Sequence, residues 1–437
     1  LALIAYGNGY SYDLKTNRLV HRGLVLLDSK PGGATITLGN KKLKQQTPYR
    51  STFEAGEYDF TLEKKDYRTW HKRLEVIPSR VTLAQYVVLL PNRIPTDSIG
   101  NYPAVPQSVV SRDHRRVAYV VTGEAGSGIW SLDTGNRQQT RIYAPALANG
   151  DVPAESVSVL SWSDDNSHLL IRSQTGDKVS YLVIATNATD QPINLTDTLK
   201  VDTPNLAFTP SNWRQIYWQS PDGLRRLDLS NQTVSAVLAP AVSGFTFAGD
   251  RVLYTAPDEA AGTALWALDG NTPKRLVRNL PPSNSYELSY TTYIGTPQVA
   301  VAAIDNHTAV LYGDIFNKPT TTVLKSPARQ VLFNADGRFI LHYDEAHVAV
   351  YDLERGRDYR MAAPNDKVTG LTWFDNYHLL FNRQGQIVLS EFDGNYTNTI
   401  APGDALPGYS APDAKNVFIT APSPSGTTQV RQVKVRQ

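Results

Sequence analysis

The chain has 437 residues, of which 41% are hydrophobic and 19% charged, a balance that excludes a disordered chain and leaves room for two or three folded domains. It contains no cysteine, which excludes disulfides, thiolate nucleophiles and Cys-ligated zinc and suits an oxidising exterior. The net charge is +2, but residues 15–80 hold 14 Lys/Arg against seven Asp/Glu, a local +7 that leaves −5 for the rest. This excess predicts exposed basic faces on a small domain, with attraction to anionic lipid or cell-wall polymer as the sharper consequence.

Residues 1–12 open with a short apolar run, Leu1 to Tyr6, followed by Gly7, Gly9 and the aromatics Tyr10 and Tyr12. Six apolar residues cannot span a bilayer, which needs about 20. The pattern fits the outer end of a membrane anchor whose helix lies mostly outside this sequence, with glycines and aromatics where the chain leaves the hydrocarbon layer.

Residues 13–91 read as short strands separated by turns. An apolar run over 23–29 meets a turn at Pro31-Gly32-Gly33, where Pro fixes φ and Gly permits φ > 0. Ala34, Ile36 and Leu38 then alternate with Thr35 and Thr37, and Gly39-Asn40 turns the chain again. After Thr47-Pro48 and a strand to Phe53, a hairpin starts at Ala55-Gly56. Tyr58, Phe60 and Leu62 alternate with polar residues, and Leu74 and Val76 repeat the pattern, which predicts sheets with one buried face. The run over 23–29, Pro31 to Ala34, Ile36 to Gly39, Thr47-Pro48, Gly56 to Tyr58 and Asp66-Tyr67 together resemble the PEGA domain family. Gly32 stands where the eponymous Pro-Glu-Gly-Ala motif has Glu. The resemblance implies a small β-sandwich of the kind found in surface-layer and membrane-tethered proteins, with no catalytic residues to transfer.

Residues 92–437 are repetitive. An apolar strand, a short polar turn and a second apolar strand recur at 109–119, 160–171, 206–217, 245–254, 331–341 and 371–381. A weaker copy surrounds Tyr290, and a last one covers 409–419, giving eight units. The anchors Trp162, Phe208, Phe247, Tyr290, Phe333 and Trp373 are 46, 39, 43, 43 and 40 residues apart. Most units continue into a second hairpin ending in Asp, at Asp133, Asp228, Asp269, Asp352 and Asp393, where a carboxylate can cap turn N–H groups. Two hairpins per ~40 residues make a four-stranded sheet with two apolar faces, and stacking such sheets in a closed ring hides both. The expected fold is all-β: the sandwich, then a β-propeller of eight blades, with seven as the alternative. Residues 93–105 are expected to add an outer strand that fastens the ring. The turns, mostly of the Ser-x-Asp-Gly kind, make this region similar to TolB-like and, less closely, WD-type (WD40-like) propellers. No unit carries the Gly-His and Trp-Asp pairs of true WD repeats.

The search for chemistry finds little. There is no Gly-x-Ser-x-Gly elbow, His-Glu-x-x-His, P-loop or dinucleotide fingerprint. The glycine-rich stretch 123–128 lies between strands and reads as a hairpin loop. His342 and His347 bracket Asp344 and Glu345, the nearest approach to a metal cluster, and read better as a solvated turn. Asp164-Asp165-Asn166 lacks the later ligands of a calcium loop. Sequons at Asn187, Asn194, Asn231, Asn306 and Asn395 are no more than a Thr- and Asn-rich β-protein yields by chance, and the seven Trp read as core. No catalytic, cofactor-binding or metal residue is therefore assigned. The sequence points to a non-catalytic protein of the bacterial or archaeal cell envelope, on its extracytoplasmic side and tethered by an N-terminal helix. Its partners are expected to be envelope proteins or glycans, with no cofactor and no nucleic acid. The alternative is an extracellular carbohydrate-active hydrolase or lyase using the propeller channel, whose carboxylates would come from different blades.

Overall fold

The computed structural model describes residues 10–13, 18–123, 126–150, 153–187, 190–203, 205–258, 262–361, 368–404 and 406–436. The anchor expected at residues 1–12 falls mostly outside this set. No helix among the described residues is long and apolar enough to cross a membrane.

The first domain is a two-sheet sandwich built from β1 (Tyr10–Asp13), β2 (Arg18–Lys30), β3 (Thr35–Leu38), β4 (Lys41–Gln46), β5 (Tyr49–Glu54), β6 (Gly56–Glu63), β7 (Trp70–Val76) and β8 (Val81–Val88). One sheet runs β4-β3-β6-β7; in the other β2 pairs with β1, β5 and, in parallel, β8. Alternate residues face inward, so Val25, Leu27, Ile36, Phe60, Leu62, Leu74 and Val76 form one core. The signature residues knot the turns together. Ser29 Oγ and Thr47 Oγ1 lie 2.7 Å apart, Ser29 Oγ also donates to the Pro31 carbonyl, and Ala34 N–H donates to Thr47 Oγ1 at 2.9 Å. Gly32 is exposed, and a Cβ there would meet nothing nearer than 3.7 Å, which is why the missing Glu leaves the turn intact. The edge strand β4 carries Lys41, Lys42 and Lys44 into solvent, where lysines also block pairing with a foreign strand.

From Ala104 onward, eight antiparallel sheets follow in chain order, at 104–143, 156–194, 206–240, 244–277, 286–323, 330–360, 368–402 and 409–434. The polar turn of the repeat is one device used again and again. In the first, second and sixth sheets Ser111, Ser163 and Asn334 donate to Asp113, Asp165 and Asp336. The same three residues accept the N–H of Arg116, His168 and Phe339. Each aspartate accepts the N–H two residues ahead. The second hairpins behave as expected at Asp133, Asp228 and Asp352, each of which caps two N–H groups. Asp269 differs: it pairs with Arg251 at 3.5 Å.

Closure is visible in the cores. Each of eight apolar clusters joins one sheet to the next, from Ile129 with Leu169 between the first two sheets to Leu389 with Val417 between the last two. The eighth cluster packs Val117 and Tyr119 of the first sheet against Tyr409 and Phe418 of the last, so the series returns on itself. The outer strand of the last sheet is β9 (Thr96–Tyr102), supplied from the start of the domain and paired with Thr428–Lys434, as the sequence led one to expect. Trp162, Trp218 and Trp373 are buried between sheets and Trp70 in the sandwich, whereas Trp213 is half-buried and stacks on the His168 ring.

Candidate functional site

Four places hold the chemistry that the fold brings together. The first is the junction of the two domains. β7 and β8 are the edges of the sandwich that meet the propeller, and β7 carries Lys72 on its inward face between Trp70 and Leu74. Lys72 Nζ lies 2.5 Å from Glu391 Oε2, 2.6 Å from Asp393 Oδ2 and 2.9 Å from the Tyr86 hydroxyl. Trp70 Nε1–H donates to the other Glu391 oxygen at 2.6 Å. The side chains of Lys72, Glu391 and Asp393 are only 5%, 0% and 8% exposed. Burial alone would lower the Lys72 pKa, but the neighbouring phenol and the two carboxylates outweigh it and hold the ammonium well above its usual range. Tyr86 stacks on Tyr377 at 4.9 Å and meets Phe392 edge-on. At the rim, Arg68 donates to the Thr399 carbonyl, and the Tyr396 hydroxyl donates to the Arg68 carbonyl. The sandwich is therefore fastened to the seventh sheet, not strung beside it. Sequence reasoning missed this, although a lysine two residues before Leu74 on a strand of period two already falls on the apolar face. Its carboxylate partners, 319 residues and more away, leave no local trace.

The second place is the histidine group. His342 and His347, neighbours in sequence, are not brought together. His342 is fully buried and bonds Asp358 at 2.7 Å, while His347 stays in the loop and bonds Asp344 at 3.0 Å. The residue that joins Asp344 and Glu345 comes from the preceding sheet. His307 Nδ1 lies 2.7 Å from Asp344, and these three residues are near enough to hold a metal ion. Arg329, however, donates to His307 Nε2 at 2.8 Å and to Glu345 at 3.0 Å, so a cation already occupies the group. Burial pushes the Asp344 carboxyl up, but hydrogen bonds from His307, His347 and the backbone overcome this and bring it to about 2. The arrangement is a hydrogen-bonded network. Asp164 and Asp165 are likewise engaged, by Arg112 at 2.7 Å and by Ser163 at 2.6 Å. Four sequon asparagines, Asn187, Asn194, Asn231 and Asn306, spend their side-chain amides on nearby turn acceptors.

The third place is the ring axis, bordered by the first strand of each sheet. These strands present a single carboxylate among the described residues, Glu287. It is exposed between buried Tyr286 and Leu288, yet walled by protein, and this loss of bulk water raises its pKa.

The fourth place is a cavity of about 730 Å³ between the sixth and seventh sheets, lined by Val348, Met361, Leu371, Phe381 and Arg383, with Asp344 and Glu345 in its wall. Pro407, just before the last sheet, and Tyr409, its first residue, also reach it. Residues 362–367, which connect the two sheets, lie outside the described residues.

With this geometry in hand, comparisons place the first domain. Residues 22–88 match the family described as PEGA domain. Comparison with curated protein sequences finds no match. Similar solved structures include TolB from Acinetobacter baumannii, at 14% identity and a TM-score of 0.32, covering 69% of this chain and 79% of that one. PorZ, titled a surface component of the type-IX secretion system of Porphyromonas gingivalis, is 12% identical with a TM-score of 0.42, covering 75% of this chain and 43% of its own. Dihydro-heme d1 dehydrogenase NirN is 14% identical with a TM-score of 0.43, covering 80% and 74%. Scores this low support no argument about function, and the propeller rests on its own sheet order and closure. The chain carries a PEGA domain at residues 22–88, followed by a β-propeller fastened to it.

Proposed function

We propose that the chain is a non-catalytic binding protein of the cell envelope, extracytoplasmic and membrane-tethered, whose propeller presents one face to a protein or glycan partner. The observation that carries this reading is the PEGA domain fixed to the propeller through a buried polar junction. Modules of the PEGA kind recur in surface-layer and membrane-tethered proteins, and here the module also orients its neighbour. In the sheet β4-β3-β6-β7 the strand at the junction is β7, so the lysines of β4 lie on the opposite edge, turned away from the propeller. Positive charge on that edge supports contact with an anionic envelope surface.

The glycosidase alternative needs two carboxylates facing one bond. Among the described residues, the strands around the axis supply one, Glu287, which weighs for binding over hydrolysis. The test uses the whole chain, immobilised and exposed to a glycan array and to detergent-solubilised envelope proteins, with turnover assays on the same polysaccharides. Saturable binding to one class without turnover is expected. Polysaccharide cleavage that disappears in Glu287→Gln would replace this reading with the hydrolase.

A further inference from the structure

We propose that the cavity between the sixth and seventh sheets binds a monoanionic amphipathic small molecule, its anionic head on Arg383 and its apolar body between the sheets. The volume of about 730 Å³ falls in the range of small-molecule sites, roughly 300–1,000 Å³. Its wall includes a specific irregularity of the chain. In Val368–Trp373 the register shifts between Thr369 and Thr372, so Gly370 and Leu371 stand where the partner strand offers one residue, Phe381. Gly370 has φ +61°, and a Cβ there would lie 2.6 Å from the Pro407 backbone, so only glycine permits this bulge. A bulge bends its strand and re-aims its side chains, and here it stands in the cavity wall.

The lining decides the ligand. Val348, Met361, Leu371 and Phe381 give apolar walls. Arg383 is half-buried in the same wall, and its guanidinium has no hydrogen bond or ion pair with any described residue. Two half-buried arginines elsewhere show the usual pairing: Arg275 holds Asp258 at 2.9 Å, and Arg225 holds Asp222 at 2.5 Å. The carboxylates of the cavity are not the missing partners of Arg383, because Asp344 is bonded to His307 and His347 and Glu345 to Arg329. A guanidinium left free beside apolar surface matches a carboxylate or sulfonate, which it can grip with two parallel hydrogen bonds. Among the described lining residues, one free cation beside two carboxylates selects a single negative charge over a polyanion.

The probe is 1-anilinonaphthalene-8-sulfonate, a monoanionic amphiphile that fluoresces when shielded from water, titrated into the intact chain. One saturable site is expected, emptied by dodecanoate and at least tenfold less well by dodecanol. Arg383→Gln should weaken both the probe and dodecanoate about tenfold or more with an unchanged Tm, and Arg383→Lys should restore part of the loss. The proposal falls if there is no saturable binding, if dodecanol competes as well as dodecanoate, or if Arg383→Gln leaves both affinities unchanged.

Discussion

At position 72 one ammonium stands between two carboxylates in a space that water barely reaches. Pairing of this kind adds little over a well-packed apolar junction, but removing one partner leaves uncompensated charge and costs about 3–5 kcal/mol. Lys72→Met should therefore destabilise the chain by about that amount in urea unfolding, and adding Glu391→Gln and Asp393→Asn should recover most of it. Two further aspartates set the response to acid. Asp344 sits at about 2; at Asp375, burial is outweighed by His378 and Arg436, which hold the carboxyl well below its usual range. Their folded pKa values lie below the unfolded value of about 3.9, so the unfolded chain takes up protons first as pH falls. The stability they add is complete above that value and is lost as pH drops towards 2. Urea midpoints at pH 5, 3.5 and 2.5 should fall in that order, with a shallower fall in Asp375→Asn. Of these residues the sequence revealed only fragments. The alternation of β7 places Lys72 inward, but its ion partners are visible only once the ring folds. His342 and His347 looked like a pair because they are close in sequence, yet one lies on a strand and the other in the loop that follows.

The elements were the most legible level. Period-two alternation and turn residues located the sandwich strands, and the recurring aspartates marked the hairpins, because both are local properties of the chain. The strand β9 falls within residues 93–105, where an outer strand fastening the ring was expected. The bulge at Gly370 was not legible, since Val368–Trp373 reads as an ordinary strand and the close approach of Pro407 depends on the next sheet. Gly370→Ala combines a left-handed backbone with a clash, and should cost roughly 1–3 kcal/mol. Thermal unfolding of this variant beside an alanine at the open position Gly249, also at positive φ but with nothing within 4 Å, separates the clash from the backbone cost. A larger loss at Gly370 is expected, and equal losses would mean that Pro407 yields.

At the scale of the whole molecule, the structure makes the basic sandwich a bracket for the propeller. Tyr86 against Tyr377, Lys72 between Glu391 and Asp393, and Val88 and Leu90 within the apolar cluster of the seventh and eighth sheets together fix its position. A bracket of this kind gives the propeller one orientation relative to whatever surface the sandwich meets, which is the physical basis of the proposed envelope role. The absence of cysteine allows this to be measured directly, because two introduced thiols carry spin labels without competition. Labels at Lys42→Cys on the far edge of the sandwich and Lys318→Cys on the fifth sheet report the distance between domains by pulsed electron resonance. The account predicts one narrow distance distribution that broadens when Lys72→Met is added. A broad distribution in the otherwise unaltered chain would contradict it.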